Sequence, residues 1–279
     1  MLIDAHQHFW RIGEHDCTWP PGDLPEIYRN FMPVDLEPLA QAAGVNGSVL
    51  VQSQASDLDT DFLLRVAGES SLVKAVVGWV DLSSPSAVAR IQRLAAHPKM
   101  RGLRPMLQNL PQDNWILSPE LEPAVAEMQA YNLSFDVLVR VHQLPYLHTF
   151  AKRHADLPMV VDHAAKPDIA ANEFAEWSAG LEDMAKLPQV FCKLSGLLTE
   201  ANAQQGVEQL RPYVVRLYHL FGAERLMWGS DWPVLKLASN SNYAGYGDWL
   251  ALAKQLLPIP SSHELDAIFG LTAKGFYRF

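Results

Sequence analysis

The stretch Met1–Trp10 reads MLIDAHQHFW, a short apolar run that breaks into His6-Gln7-His8. An open, doubly wound α/β sheet normally follows its first strand with a glycine-rich phosphate turn. Here an HxH pair stands in that place. Working outward, seven further apolar, β-branched runs have the same form: Gly47–Gln52, Ala75–Val80, Gly102–Met106, Ser134–Val139, Met159–Asp162, Val190–Leu194 and Arg225–Gly229. With Leu2–Ala5 they make eight candidate strands. Each is nearly continuous in apolar character, as strands buried on both faces of a parallel sheet are.

Amphipathic stretches lie between the runs, several with start signals. Asp35 precedes Leu36, Leu39 and Ala43. Ser84-Pro85 opens Ala87–Ala96, and Ser118-Pro119 opens Glu120–Tyr131, with proline at a favoured first position. Asn172 precedes Phe174, Trp177 and Leu181, and Gln204–Phe221 repeats apolar residues at a 3.6 period. Ser262–Tyr277 closes the pattern. Eight β-then-α units in 279 residues predict an α/β fold, a (β/α)8 TIM barrel forming a single domain over 1–279.

Composition narrows the function. A hydrophobic fraction of 49% and a charged fraction of 19% are those of a globular chain, and exclude a disordered chain or a coiled coil. The formal charge of −9 argues against nucleic acid or an anionic membrane surface as partner. No run of 18 apolar residues occurs, so no membrane span is predicted. Cys17 and Cys192 are too few for a disulfide framework, and no secretory leader precedes the first strand; the expectation is a cytoplasmic protein. A homo-oligomer is compatible with all of this.

In a parallel barrel, chemistry sits at the C-terminal strand ends. His6 and His8, two apart on a strand, leave the same face and can share one metal ion or one substrate oxygen. His163 follows the sixth strand and Asp231 the eighth. Asp231 can also be read as a helix N-cap. Arg104, after the fourth strand, either fixes a substrate group or closes the barrel through an ion pair. Lys193 has the same two readings, and His142 stands just past the fifth strand, beyond Arg140 and Val141. Trp10, Trp19 and Trp115 are candidate wall residues, Trp10 a substrate contact among them.

Five segments in order, DAHQHFW at 4–10, RGLRPMLQ at 101–108, VVDHAAKP at 160–167, CKLSG at 192–196 and GSDWPV at 229–234, resemble the amidohydrolase superfamily. The branch they are most similar to is the amidohydrolase-2 lactonase group, which holds L-fuconolactonase-like, L-rhamnonolactonase-like and pyrone dicarboxylate lactonases. The resemblance spans essentially the whole chain. It implies hydrolysis of a small-molecule lactone at His6, His8, His163 and Asp231, with zero or one divalent ion, zinc being the expected one, held by those four. Metal-dependent relatives carry a histidine after strand five and a carboxylated lysine or a glutamate on strand four. This chain has Val137-Leu138-Val139 at the first place and neither residue at the second, which points away from a two-metal site. Pro105 stands where relatives tend to carry histidine. The superfamily also contains metal-dependent decarboxylases with a similar HxH and Asp, so decarboxylation is the rival reading.

Overall fold

The computed structural model describes residues 1–279. Eight strands form one sheet in strict chain order, every neighbouring pair parallel. They are β1 (Leu2–Gln7), β2 (Val45–Val51), β3 (Val73–Gly78), β4 (Met100–Leu103), β5 (Ser134–Val137), β6 (Met159–Val161), β7 (Val190–Leu194) and β8 (Leu226–Trp228). The ring closes just above β8. Gln7 bridges Trp232 in parallel, His8 N–H donates to the Trp232 carbonyl at 2.8 Å, and Asp231 N–H donates to the His6 carbonyl at 2.8 Å.

All eight predicted strands are present, with ends that differ by a few residues. The run predicted as Gly102–Met106 leaves the sheet after Leu103, ahead of Pro105, which has no N–H for a ladder. Helices α1 (Pro33–Ala42), α2 (Asp57–Glu69), α3 (Ala87–Ala95), α4 (Glu122–Ala130), α5 (Leu144–Arg153), α6 (Phe174–Ala185), α7 (Val207–Arg225) and α8 (Tyr246–Leu256) follow the strands in turn. The stretch predicted from Gln204 starts at Val207, where the Gln209 side chain accepts the Gly206 N–H at 3.0 Å. Gly222, at φ +62°, breaks its geometry just past Phe221. The stretch Ser262–Tyr277 is α9 (Ser262–Asp266), a π turn over Ala267–Leu271, and α10 (Thr272–Tyr277).

Two apolar cores result. The larger lies between the sheet and its helices. The smaller fills the lower barrel with Ile3, Ala5, Val49, Val51, Val160 and Met227, plugged from below by Phe276 and Tyr277 of α10. Above that plug the barrel interior turns polar. Pairing between β1 and β2 is irregular between Asp4 and Gln7. Such a bulge rotates the residues beyond it. Ala5 therefore ends in the apolar core while His6, one residue on, meets Lys193 and Asp162.

Candidate active site

The lowest polar layer is a charge cluster with no solvent exposure. Lys193 of β7 reaches Asp136 of β5 at 2.7 Å and Asp162, just after β6, at 2.9 Å. The Tyr277 hydroxyl donates to the same Asp136 oxygen at 2.5 Å. Burial pushes the Asp136 carboxyl upward against the pull of Lys193. At Asp162 burial is outweighed by Lys193 and His6, and its carboxyl lies well below the usual range. Two carboxylates and one ammonium leave a negative excess. Arg104 answers it from above, with Nη1 3.2 Å from Asp162 and Nη2 donating to the Gln52 carbonyl at 2.5 Å.

His6 sits on this platform, with Lys193 Nζ 3.1 Å from its Nδ1 and Arg104 Nη1 3.3 Å from its Nε2. Burial and the neighbouring Lys193 depress its pKa well below the ordinary value, so the ring is neutral. His8 comes next. Its Nδ1 lies 2.8 Å from the Val51 carbonyl, which can only accept, so Nδ1 carries a proton. Its Nε2 faces His6 Nε2 at 3.2 Å and Asp231 Oδ1 at 3.3 Å. Asp231 Oδ1 is also 3.8 Å from the Nε2 atoms of both His6 and His163. Burial raises the Asp231 pKa, but the histidines His163, His8 and His6 more than offset it, and the group is a carboxylate. Burial lowers His163 to about 4.

Two corners hold His163 and Asp231. Asp231 has φ +56°, and its N–H is tied to the His6 carbonyl. Behind it, Asp4 accepts from Ser230 N–H at 2.8 Å, from Ser230 Oγ at 2.6 Å and from the Tyr246 hydroxyl at 3.1 Å. The other corner is a left-handed turn of four consecutive non-glycine residues, His163, Ala164, Ala165 and Lys166, with φ between +50° and +58°. Each such residue costs about 1–2 kcal/mol. Trp177 Nε1 donates to the Ala164 carbonyl at 2.7 Å, and Lys166 N–H to the His163 carbonyl at 2.8 Å. His163 Nδ1 meets Ser195 Oγ at 2.9 Å. Gly196, at φ +68°, lets the ring in: a Cβ there would stand 2.7 Å from it.

A pocket opens above these groups. Its polar lining is His8, His163, Asp231 and Arg104, joined by Ser53, Gln108 and Lys166. Trp10, Trp19, Leu138 and Val234 supply apolar wall. Trp10 and Trp19 stack at 5.7 Å, and the Trp10 N–H is already donated to the Arg29 carbonyl. Of the residues expected from sequence, His6 and Lys193 lie behind the pocket, with no exposure. His142 is exposed and pairs with Asp113 at 3.1 Å, away from the pocket lining. Trp115 lines a separate groove beside Trp79 and Leu110. Ser53, Gln108 and Lys166 carried no signal as site residues. Lys166 does fall inside the VVDHAAKP segment, three residues after His163.

The donor set fits one divalent ion. His8 Nε2 lies 3.2 Å from His6 Nε2 and 3.3 Å from Asp231 Oδ1, so imidazole nitrogens and a carboxylate oxygen, the donor types that bind zinc, converge here. His6, His163 and Asp231 present ligand atoms within 4.8 Å of one another. Bonds of about 2.0–2.2 Å would set tetrahedral edges of roughly 3.3–3.6 Å; the His6–His8 and His8–Asp231 separations, 3.2 and 3.3 Å, lie near that range, and those from Asp231 to His6 and His163, 3.8 Å, are wider.

The amidohydrolase family model matches residues 3–279. The chain belongs to the amidohydrolase family. Among amidohydrolase relatives, an L-fucono-1,5-lactonase from Burkholderia ambifaria is 49% identical, covering 99% of this chain and 95% of the relative. A second L-fucono-1,5-lactonase, from Burkholderia multivorans, is 36% identical over 99% of this chain and 96% of its own length. A crystal structure of an amidohydrolase from Burkholderia multivorans with bound zinc is 35% identical and superposes with a TM-score of 0.91, over 100% of this chain and 99% of that one. No helix of this amidohydrolase is long and apolar enough to cross a membrane.

Proposed function

We propose that the protein is a lactonase that opens the ester ring of a neutral sugar-acid lactone of the L-fucono or L-rhamnono type. The carrying observation is a buried carboxylate, Asp231, ringed by three histidines at the base of a pocket whose two cations are both already paired. Arg104 is neutralised by Asp162 and Lys166 by Glu200, the latter at 3.2 Å. A dicarboxylate would find no unpaired positive charge there, whereas a polyol would find donors and acceptors. The lactonase names of the two curated relatives support the reaction class.

Ring opening needs an activated water and stabilisation of negative charge on the carbonyl oxygen. Asp231 is the base that takes the proton of the attacking water; its ionised state suits that role. His8 and His163 border the reacting atoms, and His6 supports them from below. Arg104 lines the pocket and is placed to orient the lactone ring. Lys193 holds Asp162 and His6 in register. His6, His8, His163 and Asp231 are the residues that would hold a single divalent ion, which when bound would supply Lewis-acid stabilisation of that developing charge.

Proton release, followed with a pH indicator, tests this on six-carbon and 6-deoxy aldonolactones with a pyrone dicarboxylate as the acidic comparison. Release on the neutral lactones above spontaneous hydrolysis is the expected result. Release on the dicarboxylate alone would overturn the substrate class. Acid-free release of CO₂ from a carboxylated substrate, with no lactone opened, would replace the reaction with decarboxylation.

A further inference from the structure

Lys166 has no role in the chemistry above, yet the chain spends a left-handed turn to place it. The four-residue turn that presents His163 ends on Lys166, whose side chain lines the pocket while keeping only 20% exposure. Glu200, 15% exposed, holds the ammonium at 3.2 Å with Oε1 and lies 4.0 Å from Arg140 Nη1 with Oε2, and the Glu200 carbonyl accepts Ala170 N–H, fixing the partner loop. An ammonium has three donors, and Glu200 is the only acceptor the protein gives it. The same pocket is lined by Gln108, whose Oε1 is buried just behind that lining with no hydrogen-bond partner in the protein, so a small turn of the side chain is what would bring it to a ligand. Its backbone is anchored by Gln108 N–H to the Leu138 carbonyl at 3.0 Å. A buried amide oxygen left without a donor is costly unless a ligand supplies one.

We propose that Lys166 and Gln108 are the specificity-determining residues of this pocket, reading hydroxyl groups of the lactone, and that Glu200 offsets the Lys166 charge so that carboxylate-bearing lactones are disfavoured. A hydroxyl both donates and accepts, so it can satisfy an ammonium and an amide oxygen together. A carboxylate only accepts; it would leave Gln108 Oε1 unpaired and meet the field of Glu200. This rests on the lactonase reading but concerns a different part of the pocket from the groups that perform ring opening.

The test crosses protein variants with substrate deletions. The wild type, Lys166→Met, Lys166→Arg and Glu200→Gln are assayed on a parent aldonolactone, its singly deoxygenated analogues and a carboxylate-bearing lactone. Lys166→Met should raise KM for the parent by about 10–100-fold, the loss of one charge-assisted hydrogen bond, while kcat changes by less than about threefold. For one deoxygenated analogue the same substitution should cost nothing further, and Lys166→Arg should restore most of the affinity. Glu200→Gln should raise the ratio of kcat/KM on the carboxylate-bearing lactone to that on the neutral one by about tenfold. Calorimetry with the unreactive sugar lactam reads the same contact without turnover, so a failure of the reaction class is told apart from a failure here. Equal lactam affinity in wild type and Lys166→Met, with both folded by circular dichroism, overturns the proposal. So does a loss confined to kcat.

Discussion

The two halves of the barrel interior are built on opposite principles. Below, Ile3, Ala5, Val49, Val51, Val160 and Met227 pack against Phe276. There, burial of apolar area stabilises, by roughly 25 cal/mol per Å² removed from water. Above, on the strands or just past their ends, stand His6, Arg104, Asp136, Asp162, Lys193 and Asp231, all nearly or fully buried. Taking such charges from water costs several kcal/mol per ion, and pairing regains only part of it. The lower half holds the ring shut so that the upper half can carry groups no isolated strand could keep in place.

The sharpest separation of the two comes from Asp231→Asn. It should lower kcat by about 10²–10⁴-fold and lower the thermal midpoint by less than Lys193→Met does, because the amide keeps the side-chain volume and gives up only the attraction of the three histidines. A comparable loss of stability would mean that Asp231 belongs to the framework. Next in size, Lys193→Met strands Asp136 and Asp162 without their cation and should cost about 3–5 kcal/mol in urea denaturation. Adding Asp136→Asn should return part of that loss, since the two residues form one network. In the lower half, Met227→Ala should cost about 2–5 kcal/mol through the cavity it leaves, with kcat of the folded fraction unchanged. If kcat fell instead, the two halves would not be separable.

Acid should find the upper half first. The pKa of His163 is about 4 when folded and 6.5 in its unperturbed state, so the unfolded chain binds the extra proton between those values. The contribution is therefore fully present above pH 6.5 and is lost as pH falls toward 4. In chelated protein, urea midpoints should decline across that window, and His163→Asn should flatten the decline. Smallest is Tyr246→Phe, which removes one donor from Asp4 and should cost about 1 kcal/mol. A larger effect, with activity lost as well, would show that the Ser230–Asp231 corner depends on that hydroxyl.

The lower half was the more legible from sequence. Val, Ile and Leu runs of four to six residues report burial directly, and all eight strands follow from them. Helices α2, α5 and α8 are less visible. Two of them open without a side-chain cap hydrogen bond, and α5 grows out of a short turn through Pro145. In the upper half, the convergence of His6, His8, His163 and Asp231 could be read because each stands at or within three residues of the C-terminal end of an apolar strand. Asp136 could not, since it sits inside one, and its partners Lys193 and Tyr277 come from distant elements. Nor could the position of Lys166 be read: a left-handed turn made from His-Ala-Ala-Lys contains no glycine to announce it.

Closure of the ring between β1 and the corner after β8 also has a kinetic side. The hydrogen bonds from Ser230 to Asp4 join residues 226 apart in sequence. Contacts of such separation carry the largest loop-closure entropy and form late. His6 and His8 lie on one side of that seam and Asp231 on the other. On refolding, intermediates with most strands in place would still be catalytically silent, and the return of turnover would time the sealing of the seam.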